Sequence, residues 1–280
     1  MNRFLRFSSI AISMLLFSTG CTSSGDGLKK ETTQAVKHEI KKEKEQVVQA
    51  HHVVHQNRHW GYTGEVGPAH WGELNEKYYL CSEGTQQAPI DVVPTKKSNL
   101  PRLQLSYTKS AKDIVNNGHA VQVNMVKGNT LTIDGYPYAL KQFHFHTPSE
   151  NHIKGKSYPM EAHFVHATPN GNLAVVSVVF VEGSANPALN RMIKTFPLGK
   201  NQPKSVDLPS EYINVLLPAD TAYYKFMGSL TTPPCSEHVK WFVLKKPITA
   251  SKEQIDAMHQ EIGQENNRPI QPTNGRVIEE

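Results

Sequence analysis

The sequence predicts a single folded domain of mainly β (α+β) type, built on a mostly antiparallel sheet. Three observations predict it. Short apolar segments with strand-like alternation recur from Leu103 to Leu244. Turn-forming clusters such as Asn116-Asn117-Gly118, Lys127-Gly128-Asn129 and Pro169-Asn170-Gly171 separate them. Only one later stretch carries clear helix signals. Spacing this close leaves little room for the crossover helices that parallel strands need.

Taken in chain order, the first segment is an address. Arg3 and Arg6 precede a short apolar run, Ile10 to Phe17, too short to span a bilayer, and small residues follow. Residues 1–20 therefore read as a bacterial export signal. Ser18-Thr19-Gly20-Cys21 admits two outcomes, lipidation of Cys21 or plain cleavage after Gly20. Residues 21–57 are Ser/Gly-rich and then Lys/Glu-rich, with no apolar face wide enough to pack, and read as a solvated polar tether. His51, His52, His55 and His59 could catch a metal, although clustered surface histidines more often have no specific role.

The folded domain is expected over 58–280. Predicted strands are Leu103–Tyr107, Ala120–Met125, Thr130–Ile133, Tyr138–Phe145, Met160–Ala167, Leu173–Val181 and Val239–Leu244. The helix is predicted over Ser251–Ile262: Ser251 can cap it, Gln254 completes a capping box, and Ile255, Met258 and Ile262 share a face. In an exported domain Cys81 and Cys235 most simply pair, the alternative being two buried thiols. The chain has 280 residues, is 38% hydrophobic and carries a net charge of +5. That excludes a multispanning membrane protein, and so weak and scattered a charge does not argue for a nucleic-acid partner.

The informative chemistry lies in Gln142-Phe143-His144-Phe145-His146. Strand side chains alternate, so Gln142, His144 and His146 share one face while the phenylalanines face a core. In Met160-Glu161-Ala162-His163-Phe164-Val165-His166, Glu161, His163 and Val165 share a face. If the two strands pair through the loop around 147–158, His163 completes a triangle. Three neutral imidazoles with a fourth position open are the catalytic zinc pattern, and imidazole without thiolate suits zinc ahead of cobalt, copper or iron. Gln142 and Glu161 are placed to accept from the ligands' second nitrogens, or else are ordinary surface polar residues.

These segments, with His59-Trp60-Gly61-Tyr62, Gln87-Ala88-Pro89-Ile90, Asn117-Gly118-His119-Ala120, Gly228-Ser229-Leu230-Thr231-Thr232-Pro233-Pro234-Cys235 and Asn267-Arg268-Pro269, closely resemble the α-class carbonic anhydrases, in their exported bacterial branch. The resemblance covers nearly all of 58–280. It implies a large twisted central sheet, peripheral short helices and a conical zinc site with His144, His146 and His163 as ligands. It places Gln142, Glu161 and the Asn266 carbonyl behind the ligands, Thr231 and its acceptor Glu150 beside the metal, and His119 at the proton-shuttle position. Val165, Val175, Leu230 and Trp241 fall on the carbon dioxide pocket, Thr232 near bicarbonate, and Cys81 and Cys235 on the branch's disulfide. Departures are minor: Asn267 stands where animal members usually carry Trp, Phe226 where Tyr is common, and Gln122 where some members carry Asn.

The implied reaction is reversible hydration of carbon dioxide to bicarbonate and a proton by zinc-bound hydroxide, with esterase activity as a side reaction. A dication acidifies bound water, and carbonic anhydrase is itself the standard illustration of that effect. A Thr231 hydroxyl that donates to ionised Glu150 can only accept from the hydroxide, which orients it. The turn Asn117-Gly118 leaves His119 room to swing between cavity and solvent. Expected surroundings are the periplasm or cell envelope, as a monomer or homodimer, with membrane contact only through an N-terminal lipid.

Overall fold

The computed structural model describes residues 58–280, and every structural statement below concerns those residues. The expected signal, Cys21 and the tether, with His51, His52 and His55, lie outside them.

Twelve strands form: β1 (Asp91–Val92), β2 (Gln104–Ser106), β3 (Ala111–Asn116), β4 (Val121–Met125), β5 (Thr130–Ile133), β6 (Tyr136–His146), β7 (His152–Ile153), β8 (Met160–Ala167), β9 (Leu173–Glu182), β10 (Tyr223–Gly228), β11 (Val239–Leu244) and β12 (Ile248–Ala250). Ten of them make one sheet in the order β10-β11-β9-β8-β6-β4-β3, with β5 beside β6, β2 beside β5 and β12 beside β9. β1 and β7 form a separate parallel pair. The main sheet is antiparallel except where β11 and β12 join β9. All seven predicted strands are present, with shifted ends in four. The sequence reading missed β3 and β10 as strands, as well as the short β1, β7 and β12.

The sheet is buried on both sides at its centre, which is why β9 reads as an almost unbroken apolar run. Ala174, Val176, Val178 and Phe180 join Phe143, Phe145 and Phe164 in the larger core. Val175 and Val179 face the other way, into a second cluster with Val239, Trp241 and Val243. Ser177 interrupts that second row, fully buried and opposite His163. The one polar residue within this stretch of β9 thus points at the metal-ligand candidates.

Helices are short except Lys252–Ile262. Ser251 caps it in the expected capping box with Gln254, and Gly263, at φ 84°, closes it in the left-handed conformation. Gln254 is buried and bridges the backbone N–H and carbonyl of Asn186, both at 2.8 Å, fixing this helix to Pro187–Ile193. The chain leaving Gly263 delivers Asn266 to His146 and the Arg268 N–H to Glu150. A disulfide joins Cys81 to Cys235, 154 positions apart in sequence.

Candidate metal centre and its surroundings

β6 and β8 are antiparallel partners, with His144 directly opposite His163 and His146 opposite Glu161. This register brings one ligand atom from each of His144, His146 and His163 within 4.8 Å of the others. Phe143 and Phe145, both fully buried, anchor the opposite face of β6, so a one-residue slip would bury the histidines in the core.

Each imidazole is oriented by a partner. His144 Nδ1 donates to Gln142 Oε1 at 2.8 Å, and His146 Nδ1 to the Asn266 carbonyl at 2.7 Å. Both oxygens are acceptors, so Nδ1 carries the proton and Nε2 keeps its lone pair. His146 Nε2 is buried with no hydrogen-bond partner. His163 is turned round: its Nε2 lies 3.0 Å from Glu161 Oε1, at ion-pair distance but off the line of a hydrogen bond, leaving Nδ1 for the centre. Burial lowers the pKa of His144 well below the usual imidazole value, with His146 and His163 adding to the effect, and lowers that of His146 too. Neutral rings with one free, convergent nitrogen each are what a zinc ion requires, and the orphaned His146 nitrogen is difficult to account for without a cation.

Glu161 is fully buried and heavily bonded. It accepts from the backbone N–H of Glu150 at 2.7 Å, from the Asn151 N–H and side-chain amide at 2.8 Å each, and from the Ser177 hydroxyl. Burial alone would raise its pKa, but His163, Asn151 and Ser177 outweigh it and bring it to about 2.

Glu150 stands beside the centre, with Oε2 3.4 Å from His146 Nε2 and 3.8 Å from His163 Nδ1. Its Oε1 accepts from the Arg268 backbone N–H at 2.9 Å. Burial raises its pKa to about 7, against the pull of His163, that N–H and the Thr231 hydroxyl. The orienting role expected of Glu150 requires its ionised form, which a dication held by the three histidines would favour.

Thr231 is buried on the loop that follows β10. The loop is pinned by Leu230 N–H donating to the Ser236 carbonyl and by Cys235 N–H donating to that of Thr232, both at 2.9 Å. The expected apolar wall is assembled beside it. Val165 pairs with Val175 across β8 and β9, Val175 with Trp241 across β9 and β11, and Leu230 packs on the same cluster. Trp241 meets the His163 ring edge-on at 4.9 Å. Thr232 is half-buried at this rim.

His119 lies farther out, and here the structure differs from expectation. The turn before it is tied: Asn117 Oδ1 accepts from the N–H groups of both His119 and Ala120 at 2.9 Å, with Gly118 at φ 88°. The ring stacks flat on Trp60, centroids 3.6 Å apart, and its Nε2 contacts His59 Nε2 at 2.9 Å. Burial, then His59 and Lys200, lowers its pKa to about 4.

Sequence reasoning gave Arg268 no role. Its guanidinium, only 2% exposed, donates to Gln87 Oε1 and the Ala88 carbonyl at 2.8 Å and to the Cys81 carbonyl at 2.9 Å. Asn151 and Ser177 were missed too. An Arg in a Pro-flanked coil and a Ser amid valines were the only signals.

A family model described as eukaryotic-type carbonic anhydrase matches residues 66–280. The carbonic anhydrase of Pectobacterium atrosepticum is 47% identical over 220 residues, covering 79% of this chain and 90% of that protein. That of Neisseria gonorrhoeae is 45% identical over 221 residues, covering 79% and 87%. Among solved structures, the α-carbonic anhydrase of Thermovibrio ammonificans in complex with sulfanilamide superposes with a TM-score of 0.76 at 43% identity, covering 79% of this chain and 99% of that one. Sequence, fold and the clustering of the histidines agree, and the chain belongs to the eukaryotic-type, or α-class, carbonic anhydrases.

Proposed function

We propose a division of labour among these residues for the family's reaction, the reversible hydration of carbon dioxide to bicarbonate and a proton, which this zinc enzyme catalyses. One observation carries it: three buried or half-buried imidazoles converge within 4.8 Å, each with its second nitrogen against an acceptor. His144 and His146 through Nε2 and His163 through Nδ1 would hold zinc, which would supply hydroxide near neutral pH.

The protein's own residues then aim and feed that nucleophile. Thr231 donates its hydroxyl hydrogen bond to ionised Glu150 and would accept one from the attacking oxygen, turning one lone pair toward the substrate. Val165, Val175, Leu230 and Trp241 hold carbon dioxide, which offers no charge to grip, against this oxygen. Thr232 contacts bicarbonate as it forms. Gln142, Glu161 and the Asn266 carbonyl keep the ligand rings oriented. His119 carries the released proton outward. Simple activated esters are side substrates of the same nucleophile.

The protein is further proposed to be exported to the periplasm or cell envelope, with 1–20 removed and 21–57 tethering the 58–280 domain. The disulfide fits an oxidising compartment. The mass of the mature N-terminus decides between lipidated Cys21 and a free terminus. The site itself is tested by stopped-flow carbon dioxide hydration with metal analysis on the wild type and His144→Ala. Zinc and hydration should be lost together in the variant, and wild-type rates without metal would refute the assignment.

A further inference from the structure

Building on the reading of His163 as a zinc ligand with Glu161 as its partner, we propose that Ser177 is a positioning residue that sets how tightly the protein grips its metal. Its hydroxyl fills the last acceptor site on Glu161, so the His163 ring is denied an in-line hydrogen bond to that carboxylate. An ionised carboxylate offers about four lone-pair sites, two on each oxygen. Glu161 meets four donors before His163 is considered. Oε2 accepts from the Glu150 N–H at 2.7 Å and the Asn151 N–H at 2.8 Å. Oε1 accepts from the Asn151 side-chain amide at 2.8 Å and from the Ser177 hydroxyl.

His163 arrives as a fifth donor. Its Nε2 lies 3.0 Å from Oε1, yet that nitrogen is buried and makes no hydrogen bond. His144 and His146, each facing an acceptor of its own, donate at 2.8 and 2.7 Å. Three of the four occupants of Glu161 hold the loop that carries Glu150. Two are backbone groups, and the third, the Asn151 amide, also accepts from the Ile90 N–H at 3.2 Å. Ser177 belongs to the sheet instead. It is fully buried on β9, directly opposite His163, in the row of Val175 and Val179. An apolar side chain would suit that row better, unless the hydroxyl has a partner to serve.

A ligand histidine that donates its second N–H to a carboxylate becomes a more basic and more firmly held ligand. With the in-line site taken, His163 stays closer to a plain neutral imidazole, like the rings held by the Gln142 amide and the Asn266 carbonyl. It gives less charge to the ion, which costs some grip and leaves the ion the stronger Lewis acid. The sign of the effect separates competition from simple support. Removing a prop loosens the ligand and lets the metal escape sooner. Removing a competitor lets the His163 N–H align on Oε1 and holds the metal longer.

The full-length zinc protein and its Ser177→Ala, Ser177→Thr and His163→Ala variants test this. Zinc release into excess chelator gives the dissociation rate, and proton NMR of protein with isotope-labelled histidines gives the ring N–H signals. Ser177→Ala removes one atom from an apolar row and should fold as the wild type does. It should release zinc more slowly by about threefold to tenfold, the low end of what changes behind a metal ligand do. Its His163 N–H signal should move downfield, the mark of a stronger hydrogen bond. Ser177→Thr keeps the hydroxyl and should match the wild type in both readouts. Faster release from Ser177→Ala would make Ser177 a prop and overturn the proposal. An unchanged rate with an unmoved signal would also overturn it, as would Ser177→Thr behaving like Ser177→Ala. His163→Ala should lose zinc. Wild-type zinc retention there would refute the ligand reading, and the role of Ser177 with it, whereas zinc loss there beside an unchanged Ser177→Ala would overturn the role of Ser177 alone.

Discussion

Reducing the Cys81–Cys235 bridge should damage stability and turnover while sparing the metal. The bridge spans 154 positions, and for a loop of that length the chain-entropy relation gives about 5 kcal/mol. For a domain of this size that corresponds to a fall in melting temperature of about 10–20 °C. The effect on activity follows from where the bridge sits. Cys235 ends the turn that begins at Thr232, and its carbonyl accepts from Gln87 Nε2 at 3.1 Å. Gln87 accepts in turn from Arg268, which also holds the Cys81 carbonyl and whose backbone N–H bonds Glu150. Thr231 and its acceptor Glu150 are therefore suspended from one buried network closed by the disulfide. The ligand histidines are not, since their geometry comes from the β6–β8 register. Melting curves, zinc content and stopped-flow hydration should be compared for oxidised, reduced and Cys81→Ser/Cys235→Ser protein. The expected outcome is a lower melting temperature, lower kcat/KM well below that temperature, and zinc retained. A melting shift under about 3 °C would refute the stability argument. Unchanged kcat/KM in the reduced, folded enzyme would show that the brace does not reach Thr231.

Three other perturbations separate the parts of the site. Thr231→Ala should keep zinc, by metal analysis, yet lower kcat/KM by about 10²–10³-fold, the usual cost of removing an oriented donor or acceptor at the reacting atoms. Arg268→Met leaves the Cys81 and Ala88 carbonyls and Gln87 Oε1 without their buried partner, and at about 1–3 kcal/mol for each unpaired acceptor urea denaturation should show a loss of at least about 3 kcal/mol. His166 is fully buried, bonded to the Tyr107 hydroxyl at 2.7 Å, and burial depresses its pKa to about 4. The unfolded chain protonates this ring first, so stability should fall as pH drops from about 6.5 to about 4, by roughly 3 kcal/mol from this residue. His166→Gln should flatten that stretch of the stability–pH curve, and an unaltered slope would refute the assignment.

What was legible in the sequence was whatever has a period. Phe143 and Phe145 alternating with His144 and His146 fixed both the strand and the facing of the ligands, and the same holds for β8. Ser251 and Gln254 announced the helix because a capping box is a local device. β3 and β10 escaped for a physical reason. β3 carries Lys112 and Asp113 within it and bulges between Ala111 and Asp113, which breaks the alternation. β10 carries Lys225 and an exposed Met227 at the sheet edge, where burial no longer dictates sequence. Arg268 was missed because the partners of its guanidinium lie 180 or more positions away. No local pattern encodes such contacts. The disulfide pairing was legible only because few cysteines were available to pair.

The site contains two kinds of support, and Glu161 joins them. Metal-ligand geometry needs rigidity within tenths of an ångström, and paired strands with both faces packed provide it. Orientation of the nucleophile needs a hydroxyl and a carboxylate brought in from loops, and loops are rigid only where something buried ties them down. Glu161 sits on β8, opposite His146 and two residues before His163, so its position is set by the sheet. Yet its oxygens accept the backbone N–H groups of Glu150 and Asn151, on the loop. One buried anion, held by four donors with the His163 ring 3.0 Å away, therefore transmits the precision of the sheet to the acceptor that Thr231 depends on. A neutral residue could orient His163 equally well through one carbonyl oxygen, as the Asn266 backbone does for His146. It could not also hold two backbone amides and a serine, and that is the physical reason a costly buried charge stands at this position.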